Sequence, residues 1–279
     1  MNKTIIVPTD FSPNAERACY YAAQIAEVTG YDMHLLHCYT VNSVGGNGTD
    51  APQEKSTNLA DEQIQDLRQT LLKKNPSIHI TWECARGLII DKLSALSNTG
   101  KFAIIIMGAS GASQSKSLYW GSATVAVASK SAVPVIVVPD GDFNFSLRKA
   151  ALLTNFKAEE LDTLREFQNL LGPPQQLTIV HVFQEQKHSL INDTLDSWAY
   201  NIREMGSIEQ VDTFAEHLQP GDEDLDTIPE IVGKAVEELN PDLILITPSR
   251  KTFFQRLFKP SVSKAIALEL KKPAFFDKI

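Results

Sequence analysis

Short runs of consecutive apolar residues alternate along this chain with longer stretches in which apolar positions recur every three or four residues. The first run, Ile5-Ile6-Val7-Pro8, ends in the polar turn Thr9-Asp10. Ser12-Pro13 then reads as an N-cap followed by a proline in the first helical turn, and Ala15, Ala18, Cys19, Ala22, Ala23 and Ala26 recur at helical spacing until Gly30. Small residues on that face suit a helix lying close to a sheet. The pattern goes on to predict a strand over 33–38, a helix over 59–72, a strand over 78–84, a helix over 89–96, a strand over 102–107, a helix from Ser122 and a strand over 134–138. Runs that are apolar at every position, such as Ile104-Ile105-Ile106, need cover on both faces, which parallel sheets obtain from crossover helices.

The second half repeats these landmarks in order. Residues 151–156 correspond to the opening run and its turn, 177–182 to 33–38, 242–247 to 102–107, and 273–276 to the last strand. The expected architecture is therefore α/β: two tandem doubly wound domains, 1–141 and 147–279, each with a mostly parallel five-stranded sheet flanked by helices. The segment 141–149 is the expected linker. Segments 41–57 and 184–193, at equivalent places after the second strand, read as loops, either surface excursions or lids.

Length agrees with two domains, since 279 residues is ample for two cores. No apolar run approaches the roughly 18–20 residues of a bilayer span, and the first apolar run is too brief for a signal peptide, so a soluble protein without a membrane partner is expected. Three scattered cysteines, Cys19, Cys38 and Cys84, lack zinc-site spacing and read as free, mostly buried thiols in a reducing cytoplasm. A net charge of −8 disfavours nucleic acid and anionic lipid, leaving a small or neutral partner.

The chemistry concentrates after the most apolar strand. Met107-Gly108-Ala109-Ser110-Gly111 is followed, nine residues on, by Gly121-Ser122-Ala123. Glycines at the carboxyl end of a parallel strand permit close backbone approach, and the next helix presents unpaired amides to an anion. That geometry suits phosphates, with the Ser122 hydroxyl closing the cradle and also serving as an N-cap. The duller readings are a simple strand-ending turn at Gly108 and Gly111 and a helix-entry role for Asp10. His37 recurs as His181 and reads as structural. No Walker loop, dinucleotide fingerprint, H-E-x-x-H, G-x-S-x-G or C-x-x-C occurs.

Gly108, Gly111, Gly121 and Ser122, together with Pro8-Thr9-Asp10 and Leu36-His37-Cys38, resemble the ATP-binding branch of the universal stress protein family, whose signature is Gly-x2-Gly-x9-Gly-Ser/Thr. The resemblance implies an adenine nucleotide alpha hydrolase-like fold and a stress-response regulatory protein that binds ATP, with or without Mg on its phosphates. It implies a site of Pro8, Thr9, Asp10, Cys38, Met107, Gly108, Gly111, Gly121, Ser122 and Ala123, in which Asp10 serves the nucleoside and Cys38 stands where the family often has valine beside the base. It also implies an intramolecular pseudo-dimer of the two domains, with further homo-oligomers open. Slow ATP hydrolysis and a purely structural dimerisation role remain as alternatives. In the second half Thr247, Arg250 and Pro260 replace the three glycines, Asn155 replaces Asp10, and Ser261 persists, so that domain is expected to lack the phosphate site.

Overall fold

The structure, a computed structural model, describes residues 3–40, 51–111, 121–183, 188–217, 227–247 and 271–278; for 51–58, 188–190, 217 and 227–231 it describes backbone only. The chain divides into two compact units, Met1–Asn144 and Phe145–Asp277. Among the described residues no helix is long and apolar enough to cross a membrane.

The first unit runs β1 (Thr4–Pro8), α1 (Pro13–Thr29), β2 (Asp32–Tyr39), α2 (Ala51–Lys74), β3 (Ile80–Arg86), α3 (Ile89–Ser97), β4 (Phe102–Gly108), α4 (Ser122–Ala128) and β5 (Val135–Val138). Its strands are all parallel, in the order β3-β2-β1-β4-β5. Ile5, Ile6, Ile104, Ile105 and Ile106 are wholly buried, as strands covered on both faces require. Burying each such side chain contributes about 1.5–3 kcal/mol. Helix α1 begins as its sequence dictates: the Ser12 hydroxyl accepts the Ala15 amide at 3.3 Å, proline stands in the first turn, and Gly30 closes the helix at φ 73°.

The second unit runs β6 (Lys149–Leu153), α5 (Ala158–Leu171), β7 (Gln176–Phe183), α6 (His188–Glu204), β8 (Gln210–His217), α7 (Thr227–Leu239), β9 (Leu243–Ile246) and β10 (Ala274–Phe276). Its order, β8-β7-β6-β9-β10, repeats that of the first unit, and its pairs are likewise parallel. Residues 248–270, where the repeat leads one to expect a fourth helix, lie outside the described residues.

Three boundaries depart from the sequence pattern. Helix α2 starts at Ala51, eight residues before the expected start at 59, so only 41–50 of the expected loop 41–57 falls outside the described residues. In the second unit α6 begins at His188, inside the expected loop 184–193, and 184–187 lie outside the described residues. The match of 242–247 to 102–107 is also out by one residue. Ile5 pairs with Ile104 and its counterpart Ala150 with Leu243, which sets Thr247 opposite Gly108, as the replacement of the glycines has it.

Candidate functional site

In the first unit the chain leaves β1 toward β2 on one side and β4 toward β5 on the other. Right-handed crossovers then send the two following helices to opposite faces, opening a crevice at the carboxyl ends of β1 and β4. The turn after β1 and the loop after β4 meet there.

The turn after β1 is tightly specified. Thr9 is buried, its amide donates to the Leu36 carbonyl at 2.9 Å, and its hydroxyl accepts the Phe11 amide at 3.1 Å. This holds Phe11 in the left-handed region at φ 60°, a conformation costly for an aromatic residue. The His37 ring packs 4.6 Å from that of Phe11, and its Nδ1 bonds the Thr9 carbonyl at 2.9 Å. His37 thus fastens the end of β2 to the turn, the structural role expected for it. Asp10 is exposed, and its carboxylate accepts the Ser12 amide at 3.1 Å. The helix-entry role of Asp10 is therefore real.

The loop after β4 is closed by the Gly121 amide donating to the Ala109 carbonyl at 2.7 Å and by the Thr124 hydroxyl donating to the Gly108 carbonyl at 3.0 Å. Gly121, at φ −65°, is the residue preceding α4, and Ser122 is its first helical residue, exposed to solvent. Ser122 is therefore not the N-cap, a correction to the sequence reading. Residues 112–120, including Tyr119 and Trp120, lie outside the described residues.

The three glycines differ in what demands them. A β-carbon on Gly108 would stand 2.5 Å from the Asn14 side-chain oxygen and 3.1 Å from the Asn14 backbone carbon. One on Gly111 would stand 2.5 Å from the Asp10 carboxylate. Among the described residues one on Gly121 meets nothing closer than 3.7 Å, and its backbone angle suits any residue. Packing among the described residues explains the first two glycines and leaves the third unexplained.

Of the sequence-expected residues, Asp10, Gly108, Gly111 and Gly121 converge here, with Ser122 and Ala123 opening α4 beside them. Pro8 and Met107 are buried at the strand ends. Cys38 lies two residues beyond Leu36 on β2, partly buried, with its thiol pKa raised by burial first and moved less by Lys92 and Glu83. A neutral thiol is compatible with an apolar wall. Only Cys19 of the three cysteines is fully buried, its pKa pushed up to about 12, chiefly by burial, so the expectation of mostly buried thiols holds for one of three. Sequence reasoning missed Asn14 and Thr124, because a polar residue in a first helical turn looks like an ordinary exposed helix start.

The second unit keeps the turn and changes the corner. Thr154, Phe156 and His181 repeat Thr9, Phe11 and His37: Phe156 has φ 59°, its amide bonds the Thr154 hydroxyl at 2.9 Å, and His181 Nδ1 bonds the Thr154 carbonyl at 2.8 Å. Here, however, the buried Glu160 carboxylate accepts the Thr154 hydroxyl, the Asn155 amide at 2.8 Å and the Lys157 amide at 3.2 Å. At the end of β9 the Thr247 hydroxyl donates to the Thr163 hydroxyl at 2.8 Å, and Thr163 in turn donates to Asp277 at 3.3 Å. The counterparts in the first unit are Gly108, Ala18 and Val138. Arg250, Lys251, Arg256, Lys259, Pro260 and Ser261 lie outside the described residues.

Residues 1–139 match the universal stress protein family. A universal stress protein from Archaeoglobus fulgidus DSM 4304 superposes with a TM-score of 0.74 at 19% identity, covering 99% of this chain and 96% of that one. A protein described as a putative universal stress protein from Pseudomonas aeruginosa UCBPP-PA14 gives 0.62 at 14% identity, covering 99% and 93%. At these identities the two structures share the fold. Comparison with curated proteins gave no match.

Proposed function

The chain belongs to the universal stress protein family, and from that membership we propose that its first unit binds ATP through the Gly108, Gly111, Gly121 and Ser122 loop as part of a stress-response regulatory function. The observation that carries this reading is Gly121. Among the described residues a β-carbon there would meet only ordinary contacts with Ala109, Ser110 and Gly111, at 3.7–3.9 Å, and no backbone angle requires glycine, yet it stands at the switch-point crevice. A glycine that the described packing does not demand suits close approach by a ligand. Amides in the first turn of α4 have no intrahelical acceptor and favour an anion.

Asp10 stands where the β1 turn, which would take the nucleoside, meets the glycine loop, with its carboxylate against Gly111. Mg arriving with the triphosphate would be held mainly by the phosphates, with Asp10 as the carboxylate at hand, and would offset their charge. The neutral Cys38 side chain offers an apolar contact for a base. In the second unit the corner is filled by Thr247 and Thr163, so one nucleotide per chain is expected.

Calorimetric titration of nucleotide-free protein with ATP, ADP and AMP, with and without Mg, tests the reading. One saturable ATP site per chain is the expected result. Absence of saturable ATP binding overturns it.

A further inference from the structure

The loop after β4 is held from beneath by the side chain of Asn14. Asn14 is in the first turn of α1 and is 6% exposed. Its Oδ1 accepts the Ser110 amide at 3.0 Å, and its Nδ2 donates to the Val138 carbonyl at 3.4 Å. The same β5 residue accepts the Ala109 amide at 2.9 Å. A single carboxamide therefore ties the start of α1, the end of β5 and the glycine loop together, across 96 and 124 residues of chain.

The absence of a side chain at Gly108 belongs to this arrangement. Asn14 lies against the Gly108 Cα so closely that any β-carbon there would displace it. Position 108 is bare to admit Asn14, whereas position 121 has room for a β-carbon among the described residues. In the second unit the two members are lost together: Thr247 stands for Gly108, and exposed Glu159 stands for Asn14.

We propose that Asn14 is a positioning residue for the phosphate end of the site: it presets the Ser110 turn, and with it the Gly111 backbone that the incoming phosphates approach. The inference rests on the nucleotide reading above and deepens it. Preorganised amides bind an anion without an ordering cost, and an unordered loop has to be fixed at the moment of binding. The consequence falls on phosphates and spares the nucleoside, which meets the β1 turn.

The test compares Asn14→Ala with the wild type in two measurements. Titrations with Mg-ATP and with adenosine should show ATP weakened about tenfold, the scale of a lost buried hydrogen bond and its ordering, with adenosine changed by less than about twofold. Amide hydrogen exchange without nucleotide should show Ser110 exchanging at least about tenfold faster while β1 amides keep their protection. Asn14→Ser, whose hydroxyl stops short of both partners, is read in the same way if the alanine variant does not fold. Equal losses of ATP and adenosine, or unchanged ATP affinity in a folded variant, overturn the inference alone. A wild type that binds no ATP overturns the nucleotide reading and this inference with it.

Discussion

The Asp10 carboxylate occupies the space that a β-carbon on Gly111 would need, 2.5 Å from its ideal position. The acidic residue after β1 and the second glycine after β4 therefore share one volume, and neither can be changed without reference to the other.

Gly111→Ala should displace the Asp10 carboxylate and weaken ATP binding by about tenfold, with little loss of stability, because only a side-chain end must move. The same change in an Asp10→Ala background should cost less than in the wild type. Calorimetric titration of the four proteins in the cycle gives the coupling. Strict additivity would show that the two positions act separately.

Gly108→Ala and Gly121→Ala should fail in opposite ways. At position 108 the new methyl meets Asn14 side chain and backbone, and the expected cost is about 1–3 kcal/mol by urea unfolding. At position 121 there is room, so stability should stay within about 0.5 kcal/mol while ATP affinity falls. A Gly121→Ala protein that binds ATP normally would remove the main support for ligand approach at that residue.

Glu160→Ala should destabilise the second unit by about 2–4 kcal/mol, because it strips the acceptor from the Thr154 hydroxyl and two backbone amides. Glu160→Gln, which keeps one of the two acceptor oxygens in use and loses the charge, should cost less. Hydrogen exchange of β6 and β7 amides reports the effect locally, and equal protection in all three proteins would contradict it.

Acid should weaken the first unit through His34. Its pKa is lowered from 6.5, chiefly by burial; Glu83, 3.9 Å away, pulls upward and Lys92 pushes downward. Thr81 bonds its Nδ1 at 2.9 Å, the Phe102 ring packs 5.6 Å away, and its Nε2 has no hydrogen-bond partner among the described residues. The unfolded chain takes up a proton that the folded chain resists, so this contribution is present above pH 6.5 and declines as pH falls toward the lower folded value. Urea midpoints at pH 7.5 and 5.5 should converge in His34→Gln relative to the wild type. An unchanged gap would assign the acid sensitivity elsewhere.

The strands were legible because a fully covered parallel strand leaves an unbroken apolar run, and α1 because Ser12, Pro13 and Gly30 mark both ends. The start of α2 was not, since polar residues such as Gln53, Glu54 and Lys55 carry no periodic apolar signal. The spacing of Gly108, Gly111 and Gly121 located the corner and missed why each is glycine. The reason for Gly108 lies at Asn14, far away in the chain. Glu160 was equally hidden: it bonds back to the Lys157 amide from the third helical position, but lysine at the cap erases the usual serine or threonine signature.

Glu160 also makes the two turns unequal to exchange. With its carboxylate seated in the turn, Asn155→Asp would set a second negative charge beside the first, where Asp10 in the first unit has Ala15 as the matching neighbour. Restoring glycine at 247 would still leave that turn closed from within. Converting this turn into a copy of the first therefore takes two coupled changes: an acid at 155 calls for removing Glu160, and removing Glu160 alone strips three donors of their acceptor.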